Sequence, residues 1–241
     1  MGRITREKFK VYEGVFDEST LNILENMKRK KYFDELGKPI KTGKEGDVYF
    51  AYKDSEPRAL KMYRITSASF RKLAVYIQRD FRFKTIKGNL RKVMLAWSQK
   101  EFRNLLICHK ANMSVPFAYK QIQNVILMEY IDGGMLKDVF LEDPQDFFDQ
   151  LIEQMYLMKN VAFLVHGDLS EFNILVRDQT PVIIDLGQAM GIKNEEDFKN
   201  VYDLYQRDVN NVVNYFNKKY ELAVDVNQVF EILDRKEIWF L

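Results

Sequence analysis

Two carboxylates and an amide carry the clearest chemistry in this chain. In HGDLSEFNILV followed by PVIIDLGQA, Asp168 and Asn173 stand five residues apart, and Asp185 comes twelve residues after Asn173 at the end of an apolar run. A positioned carboxylate takes the proton of an attacking hydroxyl. An amide oxygen beside a second carboxylate offers the hard oxygen ligands that Mg²⁺ needs when it bridges phosphates. An ordinary turn aspartate is the competing account of Asp185. In RALKMYR, Lys61 lies between Leu60 and Met62. A strand of period two turns the lysine away from both, toward open solvent or into a cleft where an ammonium can hold α- and β-phosphates. KTGKEGDVY places Gly43 and Gly46 just ahead of a strand. Glycines let backbone amides approach a phosphate that side chains would block, although two glycines alone equally mark a plain hairpin turn.

The elements that must position these groups follow from the hydrophobic pattern. From about Asp17 to Leu36, Leu21, Leu24 and Met27 recur at helical spacing, and Gly37 with Pro39 supplies a stop, which predicts an N-terminal helix. DVYFAY and RALKMYR, then PFAYKQI and VILMEYI, read as strand pairs of an antiparallel sheet. Between the pairs, roughly Leu90 to Ala111, Leu90, Met94, Trp97, Leu105 and Cys108 fall within about 40° of Glu101 on a helical wheel. That places a carboxylate on a stripe due to be buried. It must meet a cation from elsewhere or sit at the rim, where water reaches it. Beyond Ile131 the pattern turns helical. Asp143 and Pro144 open a helix whose apolar face is Phe148, Leu151, Ile152, Met155 and Tyr156, and NILVRD with PVIIDL forms a hairpin ahead of a helix-rich tail.

With 46% hydrophobic and 30% charged residues, a 241-residue chain can bury a full core, which excludes a disordered or fibrous protein. Cys108 is the single cysteine, so no internal disulfide forms and a reducing, cytoplasmic setting is expected. MGRITREKFK lacks the apolar core of a signal peptide and has Arg6 where a myristoylation pattern has Ser or Thr, and no membrane association is expected. A formal charge of +2 is too balanced to prove a nucleic-acid partner. The local clusters Lys28, Arg29, Lys30 and Lys31, and Arg79, Arg82, Lys84, Lys87, Arg91 and Lys92, either follow a phosphate backbone or form solvated faces, the second being commoner.

Glycine loop, lysine, helix glutamate, Asp–Asn pair and strand-end Asp occur here in the order found in protein kinases. Within that group the sequence resembles the RIO atypical kinases of the type-one branch. TGKEGDVY is similar to the family's nucleotide loop, ALKMYR to its lysine strand, HGDLSEFNIL to its catalytic loop and IIDLGQA to its metal loop, and QRDVNNVVNYF extends the likeness toward the C-terminus. The type-two branch usually has proline where this chain has Gly187.

The resemblance implies an α+β, bilobal protein-kinase-like fold. Residues 1–36 would be an N-terminal helical extension. Residues 37–131 would form an N-lobe with a small antiparallel sheet, one main helix and a mobile insertion near 81–91, and residues 132–241 a reduced helical C-lobe. Gly43, Lys44, Gly46 and Val48 would cover the nucleotide, and Lys61 would pair with Glu101. Glu129 and Ile131 would bind adenine through their backbone, with Met128 behind it. Asp168 would be catalytic, and Asn173 and Asp185 would bind metal, the cofactors being ATP and Mg²⁺, with Mn²⁺ as a substitute. The resemblance further implies autophosphorylation, with Ser67, Ser69 and Thr85 as nearby hydroxyls, a phosphoaspartate at Asp185, and a monomer acting on ribosomal RNA and proteins of the pre-small ribosomal subunit.

The chain also departs from ordinary kinases. Lys41 stands in place of the first loop glycine, Gly167 in place of the arginine before the catalytic Asp, and no A-P-E follows Asp185, after which 56 residues remain. A peptide-docking platform is therefore not expected. Two other readings compete. Aminoglycoside and choline phosphotransferases share HGD-x-x-x-x-N, but the short route from Ile131 to His166 leaves little room for their substrate pocket. A non-catalytic, nucleotide-dependent ribosome-binding module would have no need of Asp168, Asn173 and Asp185 together.

Overall fold

The computed structural model describes residues 16–43, 46–64, 74–83, 85 and 89–235. Helix α1 (Glu18–Arg29) is followed by strands β1 (Glu35–Thr42), β2 (Gly46–Lys53) and β3 (Glu56–Tyr63), helix α2 (Leu90–Lys110), and strands β4 (Ala118–Ile122) and β5 (Val125–Glu129). The strands form one antiparallel sheet in the order β1-β2-β3-β5-β4.

Both faces of this sheet are covered. Leu60, Met62, Tyr49, Ala51, Val125 and Leu127 pack with Ile23, Leu24 and Met27 of α1 in one cluster. Ala59, Tyr63, Ile126 and Met128 join the larger cluster that includes α2. Alternation along β3 therefore sends its even-numbered residues toward α1 and its odd-numbered ones toward α2. Lys61 belongs to the odd set.

Helix α1 starts where its cap predicts, with the Asp17 carboxylate accepting from Thr20 N–H at 2.8 Å. It ends sooner than the spacing suggests, at Arg29 and not Leu36. Lys31 takes a left-handed φ of 59°, and the chain doubles back so that Phe33 and Leu36 enter the core that α1 already covers. Gly37 and Pro39 consequently lie in β1, an edge strand whose register shifts on both sides of Pro39. A missing N–H is tolerated at such a site.

The second lobe holds β6 (Gly134–Met135), α3 (Pro144–Asn160), β7 (Leu164–Val165), β8 (Ile174–Arg177), β9 (Thr180–Ile183), β10 (Met190–Gly191), α4 (Glu195–Lys199), α5 (Tyr202–Tyr220) and α6 (Val226–Asp234). Asp143 caps α3 through Asp146 N–H at 3.0 Å, with Pro144 in the first turn, as expected. The expected hairpin is β8–β9, and β6 completes a three-stranded sheet. β7 pairs with β10, so Leu164–Val165 and Met190–Gly191 bracket the catalytic and metal loops. The fold is the bilobal, kinase-like α+β arrangement, and α1 is integral to its first lobe.

Leu24 is wholly buried against the outer face of the sheet. Leu24→Ala should cost about 2–5 kcal/mol in urea unfolding, as emptied core sites do. A loss below about 0.5 kcal/mol, typical of a surface change, would show that α1 is only an appendage.

Candidate active site

The cleft is built around Lys61. Its Nζ lies 2.8 Å from Glu101 Oε1 and 3.0 Å from Asp185 Oδ1. Glu101 is therefore buried against a cation and is not at a wet rim, while Leu90, at the start of the same stripe, is exposed. Burial alone would lower the Lys61 ammonium, but Asp185 and Glu101 together outweigh it and hold it well above the usual lysine range. Desolvation pulls Asp185 up, yet Lys61 pulls it further down, so its carboxylate stays ionised. Burial pushes Glu101 up to about 7 against the pull of Lys61. One ammonium cannot fully compensate two carboxylates, and the more deeply buried acid is the one that a proton reaches near neutrality.

Asp185 sits just past β9 with a φ of 63°, a left-handed conformation that aspartate tolerates better than bulky residues. Its side chain is 48% exposed. Asn173 donates through Nδ2 to Asp168 O at 2.8 Å, which leaves its Oδ1 as the ligand-type atom. The Ile184 N–H donates to Asn173 O at 3.0 Å, tying the two loops together. Among the described residues no three His, Cys, Asp or Glu side chains form a metal cage. Mg²⁺ does not require one, because it takes one or two protein oxygens and fills the rest of its shell with water and phosphate. Asn173 and Asp185 fit that demand.

Asp168 is held from two sides. Gln188 Nε2 donates to its Oδ2 at 2.9 Å, and Arg207 Nη2 stands 3.9 Å from its Oδ1. Arg207 also donates to Gly167 O, so a cation from α5 adjoins the loop position that lacks an arginine. Gly167 has a φ of 76°, which accounts for glycine there. Beneath the loop, buried Asp208 accepts from Gly167 N–H at 2.7 Å and Leu169 N–H at 2.8 Å. Burial pushes its carboxyl up to about 6, with His166 and those two N–H groups acting in the opposite direction. Neither Asp208 nor Arg207 was singled out from the sequence. Asp208 carries the same signal as Glu101, a carboxylate on an apolar helical stripe, here with Leu204 and Val212 one turn to either side.

On the nucleotide side, Gly43 N–H donates to Asp47 Oδ1 at 3.3 Å, and Asp47 also pairs with Arg64. Gly46 is needed by the sheet itself, because a Cβ there would collide with Met62 O. Lys44 lies outside the described residues, as do Ser67 and Ser69. Thr85 is described and exposed. Val48 sits opposite Lys61 in the β2–β3 register. Met128 and Ile131 are buried on either side of Glu129. The Glu129 N–H is committed to Phe117 O at 2.8 Å, so of Glu129's own backbone groups only its carbonyl is left to meet a base. The Glu129 carboxylate pairs with Arg177 at 3.0 Å.

Among the described residues the basic stretch from 79 to 92 divides, Lys84 and Lys87 lying outside them. Arg79 is spent on Asp203 at 2.7 Å, and Arg82 on Asp80 at 2.6 Å and Asn104 at 2.9 Å. Phe83 is buried, so this part of the expected insertion is anchored in the core. Arg91 and Lys92 are exposed.

A two-lobed fold with a sheet lysine paired to a helix glutamate, above a loop bearing Asp168 and Asn173 and a strand-end Asp185, defines a phosphotransferase of the protein-kinase class. The RIO domain matches residues 47–229. The chain belongs to the RIO family of serine/threonine-protein kinases. It is 35% identical over 219 residues to the RIO-type serine/threonine-protein kinase Rio1 of Haloferax volcanii, covering 88% of this chain and 74% of the relative. To the Rio1 kinase of Methanocaldococcus jannaschii it is 34% identical over 239 residues, covering 96% and 80%. The fold is similar to a crystal structure of the Rio2 kinase–ADP/Mg²⁺–phosphoaspartate complex from Chaetomium thermophilum, with a TM-score of 0.69 at 22% identity, over 88% of this chain and 66% of that one.

The raised Glu101 carboxyl gives a pH signature. Between its ordinary 4.5 and about 7 the folded protein keeps a proton that the unfolded chain releases, so stability falls as pH rises through that window. Asp208 adds the same sign up to about 6. Urea unfolding at about pH 5 and about pH 7.5 should show a smaller loss for Glu101→Gln than for the parent. Equal losses would remove Glu101 as the titrating group.

Proposed function

We propose that this protein is a RIO-type ATP-dependent phosphotransferase that works chiefly as an ATPase switch, passing phosphate through Asp185. The observation that carries the reading is the pairing of Lys61 with Oδ1 of a half-exposed, ionised Asp185. That carboxylate is a nucleophile already placed beside the cation that would hold ATP phosphates. The Rio2 complex from Chaetomium thermophilum, which contains ADP, Mg²⁺ and a phosphoaspartate, supports it. An Asp185 oxygen attacks the γ-phosphorus, the bond to the β–γ bridging oxygen breaks, and ADP leaves with the electron pair. Water then attacks the phosphorus of the acyl phosphate while Asp168 accepts its proton, releasing inorganic phosphate and restoring Asp185. A serine or threonine hydroxyl in place of water gives the kinase reaction. Asn173 and Asp185 would hold Mg²⁺, which supplies charge neutralisation on the phosphates.

A second observation supports low activity on general peptides. The route from Asp185 to α5 is taken up by β10, paired with β7, and by the short α4. Among the described residues the one strand on that route, β10, is two residues long and already paired with β7, too short for a peptide to dock along. Labelled ATP should place hydroxylamine-labile label on the parent protein and none on Asp185→Ala. Asp168→Asn should slow turnover by about 10²- to 10⁴-fold, the usual loss of a positioned base. Rapid turnover on generic peptides, or hydrolysis persisting in Asp185→Ala, would return Asp185 to a metal-ligand role alone.

The wider role we propose is in small-ribosomal-subunit maturation, through contact with ribosomal RNA. Arg29, Lys30, Lys31, Arg91 and Lys92 are the exposed cations that fit it. Each phosphate contact removed should flatten the slope of log affinity against log salt by about 0.7–0.9. Neutralising these five residues should therefore lower both affinity and slope on a small-subunit precursor, and an unchanged slope would place the contact elsewhere.

A further inference from the structure

Helix α2 meets the loop after Asp185 twice, and the mechanism above uses only the first contact, through Glu101 and Lys61. The second is made by Lys100 and Asn104, both wholly buried. Lys100 Nζ donates to Gly187 O at 3.0 Å and Gln188 O at 2.9 Å. Asn104 Nδ2 donates to Leu186 O and Ala189 O, each at 2.8 Å. Every carbonyl from Leu186 to Ala189 is thus held by one of two side chains a turn apart on one helix. Trp97, one turn earlier, comes up against the same loop, its Nε1 only 2.7 Å from where a Cβ on Gly187 would be.

A buried lysine is an expensive way to fill space. The nearest carboxylate to Lys100 Nζ, Asp80 Oδ2 at 3.8 Å, is already committed to Arg82 Nη2 at 2.6 Å. The loop carbonyls are the closest partners of Lys100, and a methionine of similar length could fill the volume without the cost of burying a charge. What the amine supplies is geometry. Lys61 is shared between Glu101 and Asp185, so nucleotide phosphates that draw on Lys61 loosen its hold on Asp185 at the moment of reaction.

We propose that Lys100 and Asn104 are positioning residues for phosphoryl transfer. They bolt the 186–189 loop to α2, so that Asp185 on one side of it, and Gln188, which holds the Asp168 carboxylate, keep their places when Lys61 turns to the nucleotide. The proposal rests on the assignment of Asp185 to the reaction centre.

The test compares Lys100→Met and Asn104→Ala with Leu151→Ala, a core change in α3 outside both loops, and with Lys61→Ala. Amide hydrogen exchange at residues 185–189 reads the bolt directly, whatever chemistry Asp185 performs. Exchange there should rise by about tenfold or more in Lys100→Met and Asn104→Ala, yet stay near parental in Lys61→Ala. In turnover, the two bolt variants should need about 10- to 100-fold more Mg²⁺ for half-maximal rate or lose that factor in kcat. Their binding of ADP without metal should remain parental, and Leu151→Ala should lose stability with no change in Mg²⁺ requirement. If Lys100→Met does not fold, Asn104→Ala carries the same comparison. Loop exchange that rises in Lys61→Ala as much as in the bolt variants overturns the proposal. So does a bolt variant that is merely less stable, with parental Mg²⁺ requirement and kcat. Parental turnover in Asp185→Ala, with the exchange pattern as expected, would instead overturn the assignment of Asp185 and leave the bolt standing.

Discussion

One ammonium facing two carboxylates is the constraint around which the rest of this structure is arranged. Lys61 can reach Glu101 and Asp185 together only if a strand, a helix and a strand-end loop from different parts of the chain converge within hydrogen-bonding distance. The strand must be dry on both faces, since an ammonium pointing into a cleft would otherwise be one of many surface lysines. Alternation along β3 gives Leu60 and Met62 to one core and Ala59 and Tyr63 to the other. Helix α1 closes the first of these faces and α2 the second. Remove either cover and the sheet no longer fixes where the lysine points.

The lower lobe supplies the same kind of order by a different device. Its catalytic loop has little regular structure, so its geometry comes from side chains that reach its backbone. Asp208 takes two of its N–H groups, Arg207 one carbonyl, and Asn173 another. Each removes a degree of freedom from Asp168. Such bonds are made before substrate arrives, and the cost of ordering is borne in folding and not in the reaction.

Much of this was legible in the sequence, for reasons that differ from residue to residue. Glu101 declared itself by standing on an apolar stripe, and Lys61 by interrupting an apolar strand; each needed the other. The strands and the two lobes followed from period and turn chemistry. The end of α1 did not, because Lys31 enters a left-handed turn without the glycine that usually marks one, while Gly37 and Pro39 mimic a helix stop from inside an edge strand. Gly46 could be bare for a phosphate or for its own strand, and the sequence does not separate the two; the fold adds that a Cβ there would collide with Met62 O across the sheet. Arg79 and Arg82 looked like part of a basic face because charge in a sequence carries no record of its partner. Asp208 was available by the same wheel argument as Glu101, whereas Arg207 and Gln188 depend on contacts that only the tertiary fold brings about.

The close seat of Trp97 beneath Gly187 has an optical consequence. Its indole lies 5.4 Å from Lys100 Nζ and edge-on to Tyr76, at the surface where α2 meets the metal loop. The chain has one other tryptophan, Trp239. Replacing Trp239 by phenylalanine leaves a protein with a single indole, placed by the fold itself against the loop that carries Asp185. Its emission colour and quenching then follow that loop through a turnover cycle, with no dye attached and no residue of the cleft altered.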